Sequence, residues 1–163
     1  MWRGEEIRYR PIGVIRSPFR EIEGVPIQPR GAAGVRGAVE LLPEFAEGLK
    51  DLEGFSHILL IYHFHRVKGV RLVVTPFLDQ EPHGVFATRA PTRPNPIGLS
   101  VVRLVGVEGN VLWVEGVDVL DGTPLLDIKP YVPEFDVYDV ERVGWLEGVR
   151  QGVEAKRSDG RFR

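Results

Sequence analysis

The chain has 163 residues, of which 43% are hydrophobic and 27% are charged, and its formal net charge at pH 7 is −2. This composition is typical of one soluble globular domain, and the near-neutral charge argues against a protein that coats nucleic acid through charge alone. The absence of cysteine excludes disulfide scaffolds, thiolate zinc sites and cysteine nucleophiles. Neither a signal peptide nor an apolar run of bilayer length is evident, so we expect a cytoplasmic protein with no membrane partner.

The first part of the chain alternates short predicted strands with loops rich in glycine and proline. Residues 12–17 and 38–42 are predicted strands because they are short β-branched runs bounded by turn residues. Residues 23–37 lack helical periodicity and form a loop that is long for a compact domain. Residues 43–53 begin with proline and acidic residues and carry apolar residues on one face, which predicts a short amphipathic helix.

The strongest predicted strand covers residues 57–66, HILLIYHFHR, and a further strand is predicted over residues 70–75. Alternation puts His63 and His65 on the same face of the first strand. Two histidines on one face are compatible with a metal site, but no carboxylate or third ligand follows at a useful spacing. We therefore expect no metal at this position.

Residues 84–100, GVFATRAPTRPNPIGLS, form the most unusual segment. Residues 85–87 are predicted to begin it as a short strand, and its three prolines make the remainder a stiff, extended loop. Arg89 and Arg93 have no local carboxylate partner, because no acidic residue occurs between positions 82 and 107. Two interpretations remain open: an anion-binding loop, or a proline-rich connection whose arginines lie in water.

A hairpin is predicted after this segment, with arms over residues 99–107 and 111–119 and Trp113 as the largest core anchor. The second arm leads into a turn at residues 121–124, DGTP, which has the composition of a simple tight turn. After it, an acid, a base and a phenol recur at alternate positions of an apolar segment: Asp127, Lys129 and Tyr131.

The chain as a whole predicts a mainly β fold, a single small closed or strongly bent β-barrel with one short internal helix and a C-terminal helix. Residues 1–163 form one domain, with a core over residues 12–133 and the C-terminal helix and tail over residues 134–163. The helix is predicted within residues 140–152 from apolar residues at helical spacing, and the polar tail from Glu154 is expected to be frayed. A doubly wound α/β fold is excluded because long helices between successive strands are missing.

Four segments together resemble those of one family. They read IGVIRSPF, GFSHILLIYHFHR, GVFATRAPTRPNPIGLS and LDGTPLLDIKPYVP, in this order, between about Ile12 and Pro133. They are similar to the TsaA-like (YaeB, TrmO) proteins, which methylate N6 of threonylcarbamoyl-adenosine at position 37 of tRNA. The resemblance implies an S-adenosylmethionine-dependent tRNA methyltransferase, built as a small β-barrel and working as a homodimer with its cofactor near the interface.

The resemblance also implies which residues bind S-adenosylmethionine. They are Gln28, Pro29, His65, Arg66, Arg89, Leu99, Asp121, Gly122, Thr123 and Pro124. This assignment agrees with the chemistry of the cofactor. A guanidinium can bind its carboxylate, and backbone groups at glycine and proline turns can bind its adenosine.

Methyl transfer mainly requires that the acceptor nitrogen be close to the methyl group and aligned with it. The lone pair of adenine N6 is delocalised into the ring, so a group that accepts the N6 hydrogen would help. Asp127, Asp121 and the carbonyls around Asn95 are the candidates, and Tyr131 lies on the same side as Asp127. The candidate catalytic set is therefore Asp127, Asn95 and Tyr131.

The tRNA partner requires contacts to phosphates, and arginine and lysine supply these. The expected set is Arg16, Arg20, Arg30, Arg66, Lys68, Arg93 and Lys129. Two alternatives stay open at this point. One is a barrel that binds an adenosyl ligand or RNA without catalysis, and the other is methyl transfer to a different acceptor.

Overall fold

The computed structural model describes residues 4–149 and 155–162, and of Pro29 it describes the backbone alone. The described strands, in chain order, are β1 (Gly13–Arg16), β2 (Arg36–Leu41), β3 (His57–His63), β4 (Val73–Val74), β5 (His83–Gly84), β6 (Ile97–Glu108), β7 (Val111–Glu115) and β8 (Thr123–Pro130). Six of them form a closed antiparallel barrel in the order β1–β2–β7–β6–β3–β8, while β4 and β5 pair separately. The predicted mainly β barrel is confirmed, and its closed form is the one adopted.

The described helices are short. One α-helical turn, α1, covers Pro133–Asp136, and 3-10 turns cover Pro29–Ala32, Pro43–Leu49, Leu52–Gly54, Val85–Ala87, Gly144–Gly148 and Gly160–Phe162. The helix predicted over residues 43–53 is thus present as two 3-10 turns. Of the predicted C-terminal helix, the described part contains only Gly144–Gly148, and residues 150–154 lie outside the described residues. Within the described chain, no helix combines the length and the apolar character that crossing a bilayer requires.

The strand predicted over residues 85–87 is wrong, because Val85–Ala87 forms a 3-10 turn. Its carbonyl at Val85 accepts two hydrogen bonds from Thr88, one from the backbone N–H at 3.1 Å and one from the hydroxyl at 2.8 Å. A threonine three residues beyond a carbonyl can close such a turn with its own side chain. This local bond replaces the strand pairing that the apolar run suggested.

Alternation along the barrel strands decides which side chains form the core. On β3, Ile58, Leu60 and Tyr62 share one face, as the alternation predicts, and the structure shows that this face points inward and is buried. The interior is completed by Ile15, Val39, Leu41, Val102, Leu104, Leu112, Val114, Val117, Val119 and Leu125. The prediction that Trp113 anchors this core is wrong. Its side chain is 46% exposed on the outer face, because its two neighbours on β7 take the inward positions.

The strand registers bring three connections to one end of the barrel. Ile15 pairs with Thr123, Arg16 with Ala38, and His63 with Ile97. The early loop (residues 17–35), the central loop (residues 64–96) and the late connection (residues 116–122) therefore leave the barrel at the same end, which we call the loop end. A shared end allows residues far apart in sequence to form one site.

The C-terminal tail (residues 155–162) is ordered against both long loops, so the expectation that it is frayed is wrong for these residues. Gly24 N donates to Ser158 O at 2.9 Å, and Ser158 N donates to Val25 O at 2.8 Å. Phe162 is 4% exposed and packs into a second small core with Val74, Val85 and Ala90, separate from that of the barrel. These contacts join segments more than 70 residues apart, which local sequence features do not reveal.

Candidate functional site

The early and central loops meet through two predicted cofactor-binding residues. Arg89 Nη1 donates to Gln28 Oε1 at 3.1 Å, although the two residues are 61 positions apart in sequence. Pro29 follows Gln28 and begins a 3-10 turn, and its side chain lies outside the described residues. The structure thus places Arg89 and Gln28 side by side at the loop end.

The central loop is held in shape by backbone carbonyls. Arg93 Nη1 donates to Thr88 O and Ala90 O, each at 3.1 Å, so this guanidinium faces the loop itself. Ile97 N donates to Asn95 O at 2.7 Å, and Phe64 N donates to Pro96 O at 2.8 Å. The two carbonyls expected to assist N6 therefore already accept backbone hydrogen bonds. The Asn95 side chain, by contrast, is exposed to solvent.

The corner at residues 121–124 joins the late connection to β8. Gly122 has a φ of +78°, in the left-handed region that favours glycine. The Asp121 carboxylate accepts a hydrogen bond from Ser17 N at 3.1 Å and pairs with Arg20 Nη1 at 3.1 Å. Thr123 Oγ1 donates to Leu120 O at 2.6 Å. Asp121 and Thr123 thus stabilise the corner against the end of β1, while Pro124 follows as the second residue of β8.

The remaining predicted cofactor residues lie close to the loop end on β3 and β6. His65 is half-buried just beyond β3, and burial, together with the charge of Arg66, lowers its pKa, so the imidazole is neutral at pH 7. Arg66 is exposed. Leu99 lies near the start of β6 on the outer face and is 49% exposed.

The acid, base and phenol that follow the corner extend away from it. Lys129 Nζ pairs with Asp127 Oδ2 at 2.9 Å, which confirms that these residues share a side of β8. Tyr131 contacts His57 edge to face at the start of β3, with ring centroids 6.4 Å apart. At the usual rise per residue, Tyr131 is about 26 Å along the strand from Thr123, and Asp127 is about 13 Å away. Tyr131 therefore lies at the other end of the barrel from Asn95, whereas Asp127 pairs with Ile61, whose other neighbour in the sheet is Leu99.

The basic residues expected to contact tRNA fall into two groups. Arg16 pairs with Glu40 at 3.1 Å, and Arg20, Arg93 and Lys129 have the partners given above. The other three, Arg30, Arg66 and Lys68, are exposed and form no ion pair within the described part of the chain. All three belong to loops at the loop end.

A buried polar network that the sequence analysis missed lies under these loops. Ser100 Oγ donates to Asp118 Oδ1 at 2.6 Å and lies 3.0 Å from Tyr62 Oη. Burial raises the pKa of Asp118 to about 6 and raises the pKa of Tyr62, while Arg89 acts in the opposite direction on both. A signal was available: Ser100 occupies an inward position among apolar residues of its strand, where a hydroxyl needs a partner.

The central loop also contains one buried hydroxyl, that of Thr92, for which the described residues provide no hydrogen-bond partner. The residues that the structure describes contain no group of three or more His, Asp or Glu side chains that could hold a metal ion. The chemistry available at the loop end is thus that of guanidinium, amide, imidazole and a half-buried carboxylate.

Comparison with known proteins agrees with this architecture. Residues 14–137 match the model of the tRNA-methyltransferase O N-terminal domain. The chain is 64% identical over 156 residues to a probable S-adenosyl-L-methionine-binding protein of Pyrococcus abyssi, covering 96% of this chain and 85% of that one. It is 38% identical over 135 residues to the tRNA (adenine(37)-N6)-methyltransferase of Homo sapiens, covering 77% of this chain and 30% of that protein.

Among solved structures, the chain is similar to the crystal structure of TrmO from Pseudomonas aeruginosa. The TM-score is 0.74 at 46% identity, and the match covers 89% of this chain and 63% of that one. The chain thus spans less than two thirds of the Pseudomonas chain and under a third of the human protein.

Proposed function

Because this chain belongs to the tRNA-methyltransferase O N-terminal domain family, we propose that it is an S-adenosylmethionine-dependent methyltransferase acting on N6 of adenosine 37 in tRNA. The resemblance of its four segments extends the proposal to the threonylcarbamoyl form of that adenosine. Relatives named as binding S-adenosyl-L-methionine or as methylating adenine 37 support it. The protein is proposed to act in the cytoplasm.

The observation that best supports the proposal is that the early loop and the central loop meet at the loop end. Arg89 and Gln28 are hydrogen-bonded at the loop end, the end from which the corner at residues 121–124 also starts. A guanidinium next to an amide can bind a carboxylate through several donors. Arg89 is exposed and forms no ion pair with any described carboxylate, so it is available to an anionic group of a ligand.

The residues of the loop end fit S-adenosylmethionine. Arg89 and Gln28 would hold its carboxylate, and neutral His65 offers a hydrogen-bonding group for the adenosine, whereas the Gly122 N–H already donates to Ile15 O at 2.9 Å. Leu99 supplies an exposed apolar contact. When bound, the cofactor supplies an electrophilic methyl group on a sulfonium. Its leaving group is a neutral thioether, so the chemistry needs no metal.

The chain's own residues would position the acceptor. The Asn95 amide oxygen is the proposed acceptor for the N6 hydrogen, because the side chain is exposed, whereas the backbone carbonyls beside it each already accept one hydrogen bond. Tyr131 would contribute only from a second copy, since one chain places it at the other end of the barrel, while Asp127 lies two strands from Leu99 and could act within one chain.

A homodimer is part of the proposal. Exposed apolar side chains continue from the loop end along the outer face of β6 and β7: Ile97, Leu99, Val105 and Trp113. Burying this face against a second copy would remove apolar area from water and place the partner beside Leu99. Sedimentation should then give the mass of a dimer, and Trp113→Asp should shift it towards the monomer.

The tRNA would approach the same end. Arg30, Arg66 and Lys68 are exposed there without ion pairs among the described residues, so they are the first candidates for phosphate contacts. Arg16 and Lys129 could exchange their exposed ion pairs for phosphates, since such pairs contribute only about 0–1 kcal/mol, whereas Arg20 pairs with the partly buried Asp121 carboxylate. Binding should weaken as salt rises.

The direct test is methylation of tRNA in vitro. Purified protein is incubated with labelled S-adenosylmethionine and tRNA carrying threonylcarbamoyl-adenosine, and the nucleosides are then separated. Label in N6-methylated threonylcarbamoyl-adenosine supports the proposal. Cofactor binding without label in any nucleoside would favour the non-catalytic binding module, and label in another nucleoside would change the acceptor.

Arg89→Ala should weaken cofactor binding by about 1–3 kcal/mol if the guanidinium holds the carboxylate in a desolvated site. Arg8→Ala is the matched control, since Arg8 is an exposed arginine before β1 that, among the described residues, pairs only with the neighbouring Glu6 at 3.3 Å. Equal affinity in the two variants would remove Arg89 from the proposed site.

A further inference from the structure

The half-buried Asp118 carboxylate under the loop end has no ion-pair partner among the described residues. Asp118 accepts the hydrogen bond of Ser100, and because the Ser100 proton points at the carboxylate, the Tyr62 hydroxyl donates to Ser100 Oγ. The carboxylate accepts hydrogen bonds from the Ser100 hydroxyl and from its own backbone N–H, and no described cation forms an ion pair with it.

Such an arrangement is costly for the protein alone. Removing a carboxylate from water disfavours its ionised form, and burial accordingly raises the pKa of Asp118 to about 6. At pH 7 the group is still mainly ionised. Arg89 lowers the pKa but is hydrogen-bonded to Gln28 and does not pair with Asp118. A cation bound next to Asp118 would supply the missing counter-charge.

The network also lies next to the proposed cofactor residues along the chain. The three residues come from separate segments. Ser100 follows Leu99, Tyr62 is three positions before His65, and Asp118 is three positions before Asp121. Leu99 itself lies on the outer face, opposite Ser100, so the link to the site is Arg89, which is close enough to Asp118 to lower its pKa. A ligand carboxylate held by Arg89 would bring the rest of that ligand near Asp118.

We propose that Asp118 is the counter-charge for the sulfonium of S-adenosylmethionine and makes the site prefer the charged cofactor to its neutral product. This inference rests on the proposed function. S-adenosylmethionine carries a positive sulfonium, whereas S-adenosylhomocysteine carries a neutral thioether in an otherwise matching molecule. A carboxylate beside the sulfur attracts the first and not the second, which favours loading of the methyl donor and release of the product.

The test compares the two ligands in Asp118→Asn by calorimetry. The amide oxygen can still accept the Ser100 hydrogen bond, so the network is kept while the charge is removed. We expect the affinity for S-adenosylmethionine to fall by about 10-fold or more and that for S-adenosylhomocysteine to change by less than about twofold. Asp79→Asn, the same exchange at a central-loop carboxylate paired with His83 at 2.8 Å, should leave both affinities unchanged.

Equal losses for both ligands in Asp118→Asn would show a structural role and overturn the inference, as would no loss for either. If the unmodified protein binds neither ligand, the proposed function fails together with the inference. If it binds both and the ratio of their affinities is the same in the variant, only the inference fails.

A second measurement uses the unmodified protein and does not depend on the variant folding. The preference for S-adenosylmethionine should decline between about pH 7 and about pH 5, as Asp118 becomes protonated. The other groups that act on it are Arg89 from the central loop and Tyr62 from β3. Burial raises the pKa of Tyr62 away from this range. Protonation of His65, whose pKa is lowered, would act on the adenosine that both ligands share and so leave the ratio of their affinities unchanged. A constant preference across the range would contradict the proposal.

Discussion

Phe162 anchors the C-terminal tail on the central loop, and replacing it by alanine should release the tail without unfolding the barrel. The ring is 4% exposed and meets Phe77 edge to face, with centroids 5.1 Å apart. Removing a fully buried phenylalanine costs about 3–5 kcal/mol. Because this small core is separate from that of the barrel, the loss should fall on local opening of the tail and the loops it contacts.

Amide hydrogen exchange can measure that opening at particular bonds. The amides of Gly24 and Ser158 form the tail–early loop hydrogen bonds, and that of Val25 bonds to the Ser158 hydroxyl at 3.0 Å. A loss of about 3 kcal/mol corresponds to exchange about 100-fold faster at these amides. Amides within β3 and β6 should exchange at the wild-type rate.

Phe86→Ala is the matched control, because Phe86 belongs to the same loop and is 75% exposed. It should leave exchange at Gly24 and Ser158 unchanged. Faster exchange throughout the barrel in Phe162→Ala would refute the reasoning, since the tail would then belong to the same cooperative unit. Unchanged exchange at the tail amides would show that Phe162 is not its anchor.

Three further predictions concern the central loop and the network beneath it. Gly98→Ala should lower stability by about 1–3 kcal/mol in denaturant titrations, because a Cβ there would overlap the Tyr62 ring; wild-type stability would contradict this contact. Thr92→Val should be neutral or stabilising by about 1 kcal/mol, since its buried hydroxyl has no partner among the described residues; a clear loss would reveal one. Asp118 binds its proton more tightly when folded, because its pKa is raised to about 6 from 3.8. The difference in unfolding free energy between the wild type and Asp118→Asn should therefore fall by about 3 kcal/mol as the pH rises from 3.8 to about 6. A difference that stays constant or grows over this range would refute the prediction.

Local patterns were sufficient for much of the barrel. The alternation in residues 57–66 identifies β3 and puts Ile58, Leu60 and Tyr62 on one face, and the hairpin of β6 and β7 follows from two alternating arms around a glycine turn. Alternation shows which residues share a face but not which face lies inside the barrel, and for this reason the prediction that Trp113 is in the core is wrong. Closure depends on both edges of the sheet, so the sequence left open whether the barrel was closed or only bent.

The sequence by itself determined a mainly β domain and, through its four segments, the family and the chemistry to expect of it. The tertiary structure alone decided which of those residues meet. Arg89 reaches Gln28 across 61 positions, and the pairs Ser100–Asp118 and Gly24–Ser158 form only because the barrel closes and the tail folds back. The length of β8 places Tyr131 at the end of the barrel opposite the loop end. The physical reason is that periodicity and turn chemistry act over a few residues, whereas burial and hydrogen bonding at the loop end depend on strand register and closure.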